Sequence, residues 1–396
     1  MKASMFYLPS CGGREDIEQG FAGLRPELYQ RMLREVGEQI RLGDTLGYDS
    51  VSFTEHHFHV EGFELSNNPV LLDLWAAMQT QRLRVGQLGI VLPAENPLRV
   101  AENIAMLDHM SGGRAYAGFA RGYQRRWVDT MAQHAHGVRG VQPHRHDEID
   151  EANRAAFEEC YRLIKAAWTQ DLVSLQGEFW QVPVPGTPWD IESTARYGGG
   201  VENGVVTALG PVPKPLQQPH PPVFQPFASS ERSVRWCAEE GITAVLPPLH
   251  PLLEQQLIAV YAETSGRPPG DGIALLRDVV VADTDEEALA LWANGPRFGF
   301  ASWFRPFGFD QGLPHPQTGE MPDFLEAGLA LVGSVDTVTR QLERLFERVP
   351  ARWLFAWEWN ALIPHADLMR SIELFATKVA PRMGGLEAPD AMAAPV

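Results

Sequence analysis

Residues 84–120, RVGQLGIVLPAENPLRVAENIAMLDHMSGGRAYAGFA, predict a strand, a helix and a second strand in direct succession. The runs 84–91 and 115–120 are short and apolar, as buried parallel strands usually are. The amphipathic stretch between them begins with Pro97, which suits the first turn of a helix, and ends at Gly112, a common helix stop. This order is typical of a βαβ unit and favours a parallel sheet covered by helices.

The same alternation extends along the chain. Short apolar runs predict strands at 3–8, 50–54, 84–91, 115–120, 222–226, 243–246, 274–281 and 353–358. Eight strands separated by helical patterns predict an α/β fold, most economically a (β/α)8 TIM barrel with insertions. We expect one barrel domain over 1–383 and a disordered tail over 384–396.

Two insertions interrupt this alternation. Residues 172–182 alternate about a glycine and predict a hairpin, and the Pro- and Gly-rich remainder of 172–221 predicts an irregular excursion. Residues 295–322 follow the seventh predicted strand and are rich in aromatic side chains without helical or strand periodicity. Loops of that length in a compact domain are usually lids or binding loops. The side chains expected to form an apolar lid are Phe298, Phe300, Trp303, Phe304, Phe307 and Phe309.

Composition and charge exclude several classes of partner. The 396 residues carry a formal net charge of −17, which argues against nucleic acid or an anionic membrane surface. The first residues lack the core of a signal peptide, and no run approaches the roughly 20 apolar residues of a membrane span. The three cysteines are odd in number and far apart, so we expect no disulfide framework and a cytoplasmic location.

Candidate functional residues follow three of the predicted strands. In a (β/α)8 barrel the site lies at the C-terminal ends of the strands. The second strand is followed by Glu55-His56-His57, the fourth by Arg121-Gly122-Tyr123 and the fifth by residues 228–233. These are therefore the positions at which chemistry is expected.

The serines of 228–233 predict an anion site. Ser229 or Ser230 can cap the following helix, whose unpaired N–H groups and positive dipole end would face the barrel mouth. Ser233 lies one turn later on the same face, and Arg121 at the neighbouring mouth supplies a countercharge for a phosphate. Serines that only cap the helix remain an equally good interpretation of the serines alone.

Four blocks of the chain resemble the bacterial luciferase-like flavin monooxygenases, in the order that family has them. The blocks are GYDSVSFTEHHF, GIVLPAENPLRVAENIAMLDHMSGGRAYAGFARGYQ, PHPPVFQPFASSERSVRWCAEEG and LVGSVDTVTRQLERL. The second block is the most specific, with a Leu-Asp pair, then SGGR and an Arg-Gly pair. The resemblance implies a (β/α)8 barrel that binds FMN at its C-terminal mouth beneath a mobile cover, the insertion at 295–322.

Carried over position by position, the resemblance also implies roles for individual residues. The implied cofactor-binding residues are Gly89, Arg121, Arg154, Ser229, Ser230 and Ser233. Arg154 is expected before the fourth helix, and Gly89 at a bulged, often cis, non-proline peptide behind the flavin ring. His56 is the implied catalytic residue, beside the reacting edge of the flavin.

The implied enzyme is an FMN-dependent monooxygenase of the two-component kind. A separate flavin reductase would supply reduced FMN, and O2 would form a C4a-peroxide that oxygenates a small apolar or aromatic organic substrate. His56 would hydrogen-bond or protonate the bound oxygen, or exchange a proton with the substrate. The family often dimerises, so a homodimer is one expected assembly.

Three alternatives stay open from the sequence. The same superfamily contains F420-dependent oxidoreductases, and it also contains non-catalytic flavin-binding partner subunits. A metal-dependent barrel hydrolase is the third alternative, suggested by EHHFH at 55–59 and by His134, His136, His144 and His146. Metal binding is not expected, because His56 and His57 face opposite ways on an extended segment and at most one of them shares the mouth with His59.

Overall fold

Eight parallel strands form a closed barrel in the computed structural model, which describes residues 1–133, 135–143, 146–314, 321–387 and 389. The barrel strands are β1 (Lys2–Tyr7), β2 (Ser50–Phe53), β3 (Arg84–Gln87), β4 (Ala115–Ala120), β5 (Val223–Gln225), β6 (Thr243–Leu246), β7 (Ile273–Ala282) and β8 (Trp353–Trp357). Each strand pairs with its neighbour in chain order, and β8 closes the ring on β1. The predicted (β/α)8 barrel is confirmed.

Helices surround the barrel. The α-helices are Arg14–Glu18, Pro26–Leu46, Pro69–Ala77, Pro97–Met110, Arg125–Ala132, Glu148–Thr169, Glu192–Tyr197, Glu231–Glu240, Pro251–Ser265, Asp285–Asn294, Pro296–Gly299, Met321–Glu326, Val335–Arg348 and His365–Leu374. The helix predicted between β3 and β4 begins at Pro97, where the Asn96 side chain accepts from the N–H groups of Leu98 and Arg99. In the part of the chain that the structure describes, none of the helices has the length and apolar character needed to cross a bilayer.

The third strand is shorter than predicted. The run 84–91 is divided into β3 and a two-residue strand, Ile90–Val91, and the Leu88–Gly89 peptide between them is cis. A Cβ atom on Gly89 would lie 2.7 Å from the backbone of Gly118 on β4. Only glycine at position 89 allows the backbones of these two neighbouring strands to approach so closely.

One further strand was not predicted. Residues Ala330–Ser334 pair in parallel with the C-terminal half of β7, from Asp278 to Ala282, whereas β8 pairs with the N-terminal half. The strand lies outside the barrel ring. Its run, ALVGS, is as short and apolar as several of the predicted strands, and sequence reasoning missed it.

The two insertions have more regular structure than expected. The predicted hairpin pairs Leu175–Gln176 with Gln181–Val182, but the excursion contains a second hairpin, Val201–Glu202 with Val205–Val206. The expected lack of helical structure after residue 295 was wrong, because Pro296–Gly299, Phe300–Phe304 and Arg305–Phe307 are consecutive helical turns. We call residues 296–309 the aromatic segment. Residues 315–320 of this insertion lie outside the described part of the chain.

The start of the predicted tail is fixed to the first residue. The amino terminus of Met1 donates to the Gly385 carbonyl at 3.2 Å and lies 3.1 Å from a carboxylate oxygen of Glu387. The expected disorder is therefore wrong for residues 384–387, while residues 388 and 390–396 lie outside the described part. The cysteines Cys11, Cys160 and Cys237 are buried free thiols, as expected.

Candidate active site

A cavity opens at the C-terminal mouth of the barrel and contains every residue predicted for the site. It encloses about 260 Å³. One water molecule needs about 10–15 Å³, so the cavity has room for a sizeable organic molecule. Among the residues that line it are His56, Gly89, Arg121, Arg154, Ser229, Ser230 and Ser233. The structure therefore brings these seven positions together from β2, β3, β4, β5 and the segments that follow them.

One end of the cavity is the N-terminus of helix Glu231–Glu240. Ser230 is the capping residue, and its hydroxyl accepts from the Ser233 N–H at 3.3 Å. The two serine hydroxyls are 3.0 Å apart, and Ser229 lines the same wall. The free N–H groups and positive dipole of this ten-residue helix favour an anion here.

Arg154 adds a buried positive charge to this end. It lies inside helix Glu148–Thr169, which corrects the prediction that it precedes the helix. The guanidinium donates to the Ser233 hydroxyl at 3.4 Å, and its buried Nε has no hydrogen-bond partner among the described residues. Burial, with the nearby charges of Arg121 and Arg232, lowers its pKa to about 10, so it remains protonated at neutral pH. A buried, incompletely paired guanidinium is costly unless an anion binds it.

Arg121 is already paired with side chains of the neighbouring helix. Its guanidinium donates to the Asp150 carboxylate, and its Nε donates to the Asn153 side-chain oxygen at 3.1 Å. The Asn153 amide in turn donates to the Arg121 carbonyl at 3.0 Å, which fixes the start of the loop after β4. Sequence reasoning missed Asp150, although Asp150, Asn153 and Arg154 lie one turn apart on one helix face. We call Arg121, Arg154, Ser229, Ser230 and Ser233 the cationic end.

His56 lies on the cavity wall and is neutral. Its Nδ1 is hydrogen-bonded to the Thr54 hydroxyl at 3.0 Å, and its Nε2 lies 3.7 Å from Oε1 of Glu64. Burial, followed by the proximity of His59 and His57, holds its pKa well below the usual 6.5. A neutral imidazole next to a cavity can exchange a proton with a bound molecule.

Two carboxyl groups lie beside the histidines; Glu55 was among the positions singled out from the sequence, whereas Glu95 was missed. Glu55 lines the cavity, accepts from the Val91 N–H at 2.6 Å and lies 3.2 Å from the His57 ring nitrogen. It is hydrogen-bonded to Glu95, and burial raises the pKa of Glu55 to about 7 and that of Glu95 to about 8. The pair therefore retains protons at pH values where isolated carboxyl groups have lost them.

The opposite end of the cavity is aromatic. Its lining includes Trp292, Phe300, Phe304, Phe309, Phe324, Trp357 and Trp359. The rings of Trp357 and Trp359 stack at 4.4 Å, and Phe304 of the aromatic segment meets Trp357 edge-on at 5.2 Å. One carboxyl group lies in this surface: Asp278 accepts from the indole N–H groups of Trp292 at 2.8 Å and Trp359 at 2.7 Å. We call these residues the aromatic end.

The histidines of 55–59 do not converge on one point. The His56 and His59 rings are 5.6 Å apart, while the His57 ring packs on Trp127 at 4.9 Å and faces Glu55. Among the described residues, the structure contains no group of three or more side chains placed to hold a metal ion. His134 and His144, which the metal alternative also invoked, lie outside the described part.

The fold and the cavity define a class of protein. It is a (β/α)8 barrel with a cavity at its mouth, and the cavity lining contains a helix N-terminus with two arginines, a neutral histidine and a group of aromatic side chains. The chain belongs to the luciferase-like monooxygenase family, whose model matches residues 17–352.

Individual relatives agree with this assignment. The chain is 25% identical to 3,6-diketocamphane 1,6-monooxygenase of Pseudomonas putida over 368 residues, 86% of this chain and 90% of the relative. It is 27% identical over 306 residues to the oxygenase component of the flavin-dependent trigonelline monooxygenase of Acinetobacter baylyi, 74% of this chain and 71% of that protein. The solved oxygenating constituent of 3,6-diketocamphane monooxygenase, in complex with FMN, superposes with a TM-score of 0.72 at 20% identity, covering 98% of this chain and 99% of that one. At that identity the superposition shows the shared fold alone.

Proposed function

We propose that this protein is an FMN-dependent monooxygenase that receives reduced FMN from a separate flavin reductase. It would use O2 to oxygenate a small apolar or aromatic organic substrate. The observation that carries the proposal is the cationic end, where the incompletely paired guanidinium of Arg154 meets the N-terminus of helix Glu231–Glu240 inside the cavity. The aromatic end of the same cavity offers an apolar site to a second molecule.

The residues present fit FMN. Arg154, Ser230 and Ser233 would hold the phosphate, with Ser229 beside them and Arg121 adding charge from the next loop. Gly89 has no side chain, so the backbone after β3 can lie against a flat ring. The lining thus offers a cationic wall for the phosphate and a glycine wall for the ring, and leaves the aromatic end for a second molecule.

The chain's own residues would bind, orient and protect the reactants. When bound, reduced flavin supplies the activation of O2 and the transfer of one oxygen atom. The aromatic segment covers the mouth with Phe300, Phe304 and Phe309, which excludes water from the reacting centre. Neutral His56 would donate or accept a proton at the cavity wall, held in place by the Thr54 hydroxyl.

The comparisons support this proposal over the alternatives from the sequence. Two relatives are monooxygenases by name, one is an oxygenase component, and one solved relative holds FMN. A component of that kind needs reduced flavin from another protein. The phosphate contacts suit FMN and the deazaflavin F420 equally, so the choice of FMN over F420 is decided by the test below. A non-catalytic partner subunit does not need the histidine and carboxyl groups that line this cavity.

Reconstitution with a flavin reductase, NADH, FMN and a panel of apolar ring compounds tests the proposal. We expect one atom of ¹⁸O2 in the product of at least one compound, and no product without FMN. The proposal is wrong if oxygen uptake never exceeds that of free reduced FMN and no compound is labelled. Anaerobic turnover with reduced F420 would instead support the oxidoreductase alternative.

A further inference from the structure

Glu64 connects the aromatic segment to the loop that carries His56. Its side chain is buried, and it accepts hydrogen bonds from Trp303 Nε1 at 2.7 Å, Gln124 Nε2 at 2.6 Å and the Tyr123 hydroxyl at 3.0 Å. These donors come from two separate parts of the chain, the segment after β4 and the aromatic segment. Glu64 has φ of 53°, which is unfavourable for a residue with a side chain, so its surroundings fix the conformation that brings the donors together.

Trp303 is docked on that loop by more than this one bond. Its ring stacks on Phe63 with centroids 5.4 Å apart and lies 5.0 Å from the His59 ring. The Arg126 guanidinium lies over the same ring at 5.8 Å. The tryptophan of the aromatic segment therefore fits a prepared site next to the histidines, and its N–H donates to the Glu64 carboxyl group there.

The same carboxyl group borders His56. Glu64 Oε1 is 3.7 Å from His56 Nε2, and Tyr123, which donates to Glu64, has its ring centroid 5.9 Å from that of His56. The Tyr123 ring also meets Phe307 at 5.1 Å and Phe309 at 4.9 Å, both in the aromatic segment. Two routes therefore connect the aromatic segment to the imidazole, one through Glu64 and one through Tyr123.

The charged and titratable groups around Glu64 are few. From its own loop it faces His56 and His59, and from the segment after β4 it faces Tyr123 and Arg126. Burial raises the Glu64 pKa to about 7, and the donors from Trp303, Gln124 and Tyr123 oppose that rise. A change in any one donor therefore alters the charge that borders His56.

We propose that Glu64 is a positioning residue that couples docking of the aromatic segment, through Trp303, to the environment of His56. The mouth would then be covered and His56 desolvated in the same step, so water is excluded when the imidazole is in its working position. The chemical purpose of this coupling rests on the proposed function, but the coupling itself can be measured without turnover.

Hydrogen exchange of the aromatic segment tests the first half of the proposal. We expect the hydrogen-exchange rate of residues 296–309 to rise roughly tenfold in Glu64→Gln and in Trp303→Phe, the second of which keeps an aromatic ring at position 303. A tenfold change is about the effect of losing one hydrogen bond to a charged group. The double variant should exchange no faster than the faster single variant, because both changes act on the same bond, which Glu64→Gln weakens and Trp303→Phe removes. If the two effects multiply, Glu64 and Trp303 act independently and the proposal is overturned.

Trp359→Phe is the matched control. It removes the hydrogen bond that the Trp359 indole N–H donates to Asp278, a carboxyl group that lines the cavity, and it leaves the contacts of Glu64 unchanged. Combined with Glu64→Gln, its effect on the exchange of 296–309 should multiply. Glu64→Gln could instead be equally non-additive with Trp303→Phe and with Trp359→Phe in the exchange of 296–309. That result would show a general loosening of the mouth and would contradict a specific role for Glu64.

Proton NMR of His56 tests the second half. In Trp303→Phe, which does not contact His56, we expect the His56 pKa to rise towards 6.5, because loss of docking admits water to the imidazole. An unchanged His56 pKa with faster exchange of the segment would overturn the coupling. If exchange of 296–309 is non-additive and the His56 pKa rises, but the protein never oxygenates a compound, the proposed function is wrong and the coupling stands. If the protein oxygenates a compound but the two variants act independently, the coupling is wrong and the proposed function stands.

Discussion

The cationic end and the aromatic end of the cavity are built from different kinds of structure. Arg154, Ser230 and Ser233 lie on or at the starts of two regular helices, Glu148–Thr169 and Glu231–Glu240. Much of the aromatic end belongs to the aromatic segment, whose place depends on contacts with distant residues. Long regular helices hold a group in place better than a succession of short helical turns does. We infer that the cationic end is preformed for one ligand, whereas the aromatic end is closed by docking.

His56 lines the cavity but belongs to neither end, so its removal should affect chemistry and neither binding site. In His56→Ala we expect FMN affinity within about threefold of wild type and oxygenation reduced by about 10²–10⁴, the usual contribution of a proton-transferring group. Single-turnover product yield and FMN titration measure the two quantities. A variant that loses FMN affinity in the same proportion would place His56 in the cofactor site instead.

Arg154→Met should affect the cationic end alone. We expect FMN affinity to fall about 100-fold, because a charged hydrogen bond contributes up to about 3 kcal/mol. Arg232→Met is the matched control: Arg232 forms an exposed pair with Glu151 beside the same helix, and such pairs contribute little. Fluorescence titration of FMN with both variants checks this. Similar losses in both would mean that long-range charge, and no specific contact, attracts the cofactor.

Phe304→Leu should affect the aromatic end alone, and therefore the binding of substrate and not of FMN. Phe304 packs on Trp357 and on Phe309 within the aromatic end, and leucine keeps most of its volume. We expect the substrate KM to rise about tenfold, as for a changed apolar contact, while FMN affinity stays within about twofold. Steady-state kinetics with one identified substrate measures the first quantity. Equal loss of both affinities would show that the two ends are not separable.

The carboxyl pair Glu55–Glu95 belongs to neither end and should give the smallest effect. Burial raises both pKa values, to about 7 and about 8, so the folded protein binds more protons than the unfolded chain between about pH 4.5 and 8. The contribution of this pair to stability is therefore present at low pH and lost as pH rises through that range. In Glu95→Gln we expect the fall in unfolding free energy from pH 7 to pH 8 to be smaller by roughly 1 kcal/mol. Urea unfolding at both pH values measures it, and an unchanged slope would contradict the shifted pKa values.

The barrel and the serines of the cationic end could be predicted from local signals, whereas Arg154 was implied by the family resemblance alone. Buried parallel strands are short apolar runs, and a helix N-terminus is marked by a capping serine with its partner three residues later. Ser230 and Ser233 meet this pattern and are joined in the structure as expected. The broken third strand was predicted too long, because the close approach of Gly89 to Gly118 depends on pairing with β4.

The parts that sequence reasoning missed depend on residues far apart in the chain. Glu64 and Trp303 are 239 residues apart, and Glu64 stands in a loop without periodicity. Asp278 lies within the long apolar run of β7, and its indole partner Trp359 is 81 residues away. Such pairs have no fixed spacing, so a single sequence contains no signal for them. The sequence predicted that the aromatic segment is an apolar cover of aromatic side chains, but it did not predict which residues the segment packs against.

The central claim is that the cationic end binds the phosphate of FMN. The most direct measurement compares the affinity of the wild-type protein for FMN with its affinity for riboflavin, which has the same ring and lacks the phosphate. We predict that FMN binds about 100-fold more tightly, and that this ratio falls below about tenfold in Arg154→Met. Equal affinities for FMN and riboflavin in the wild-type protein would contradict the account.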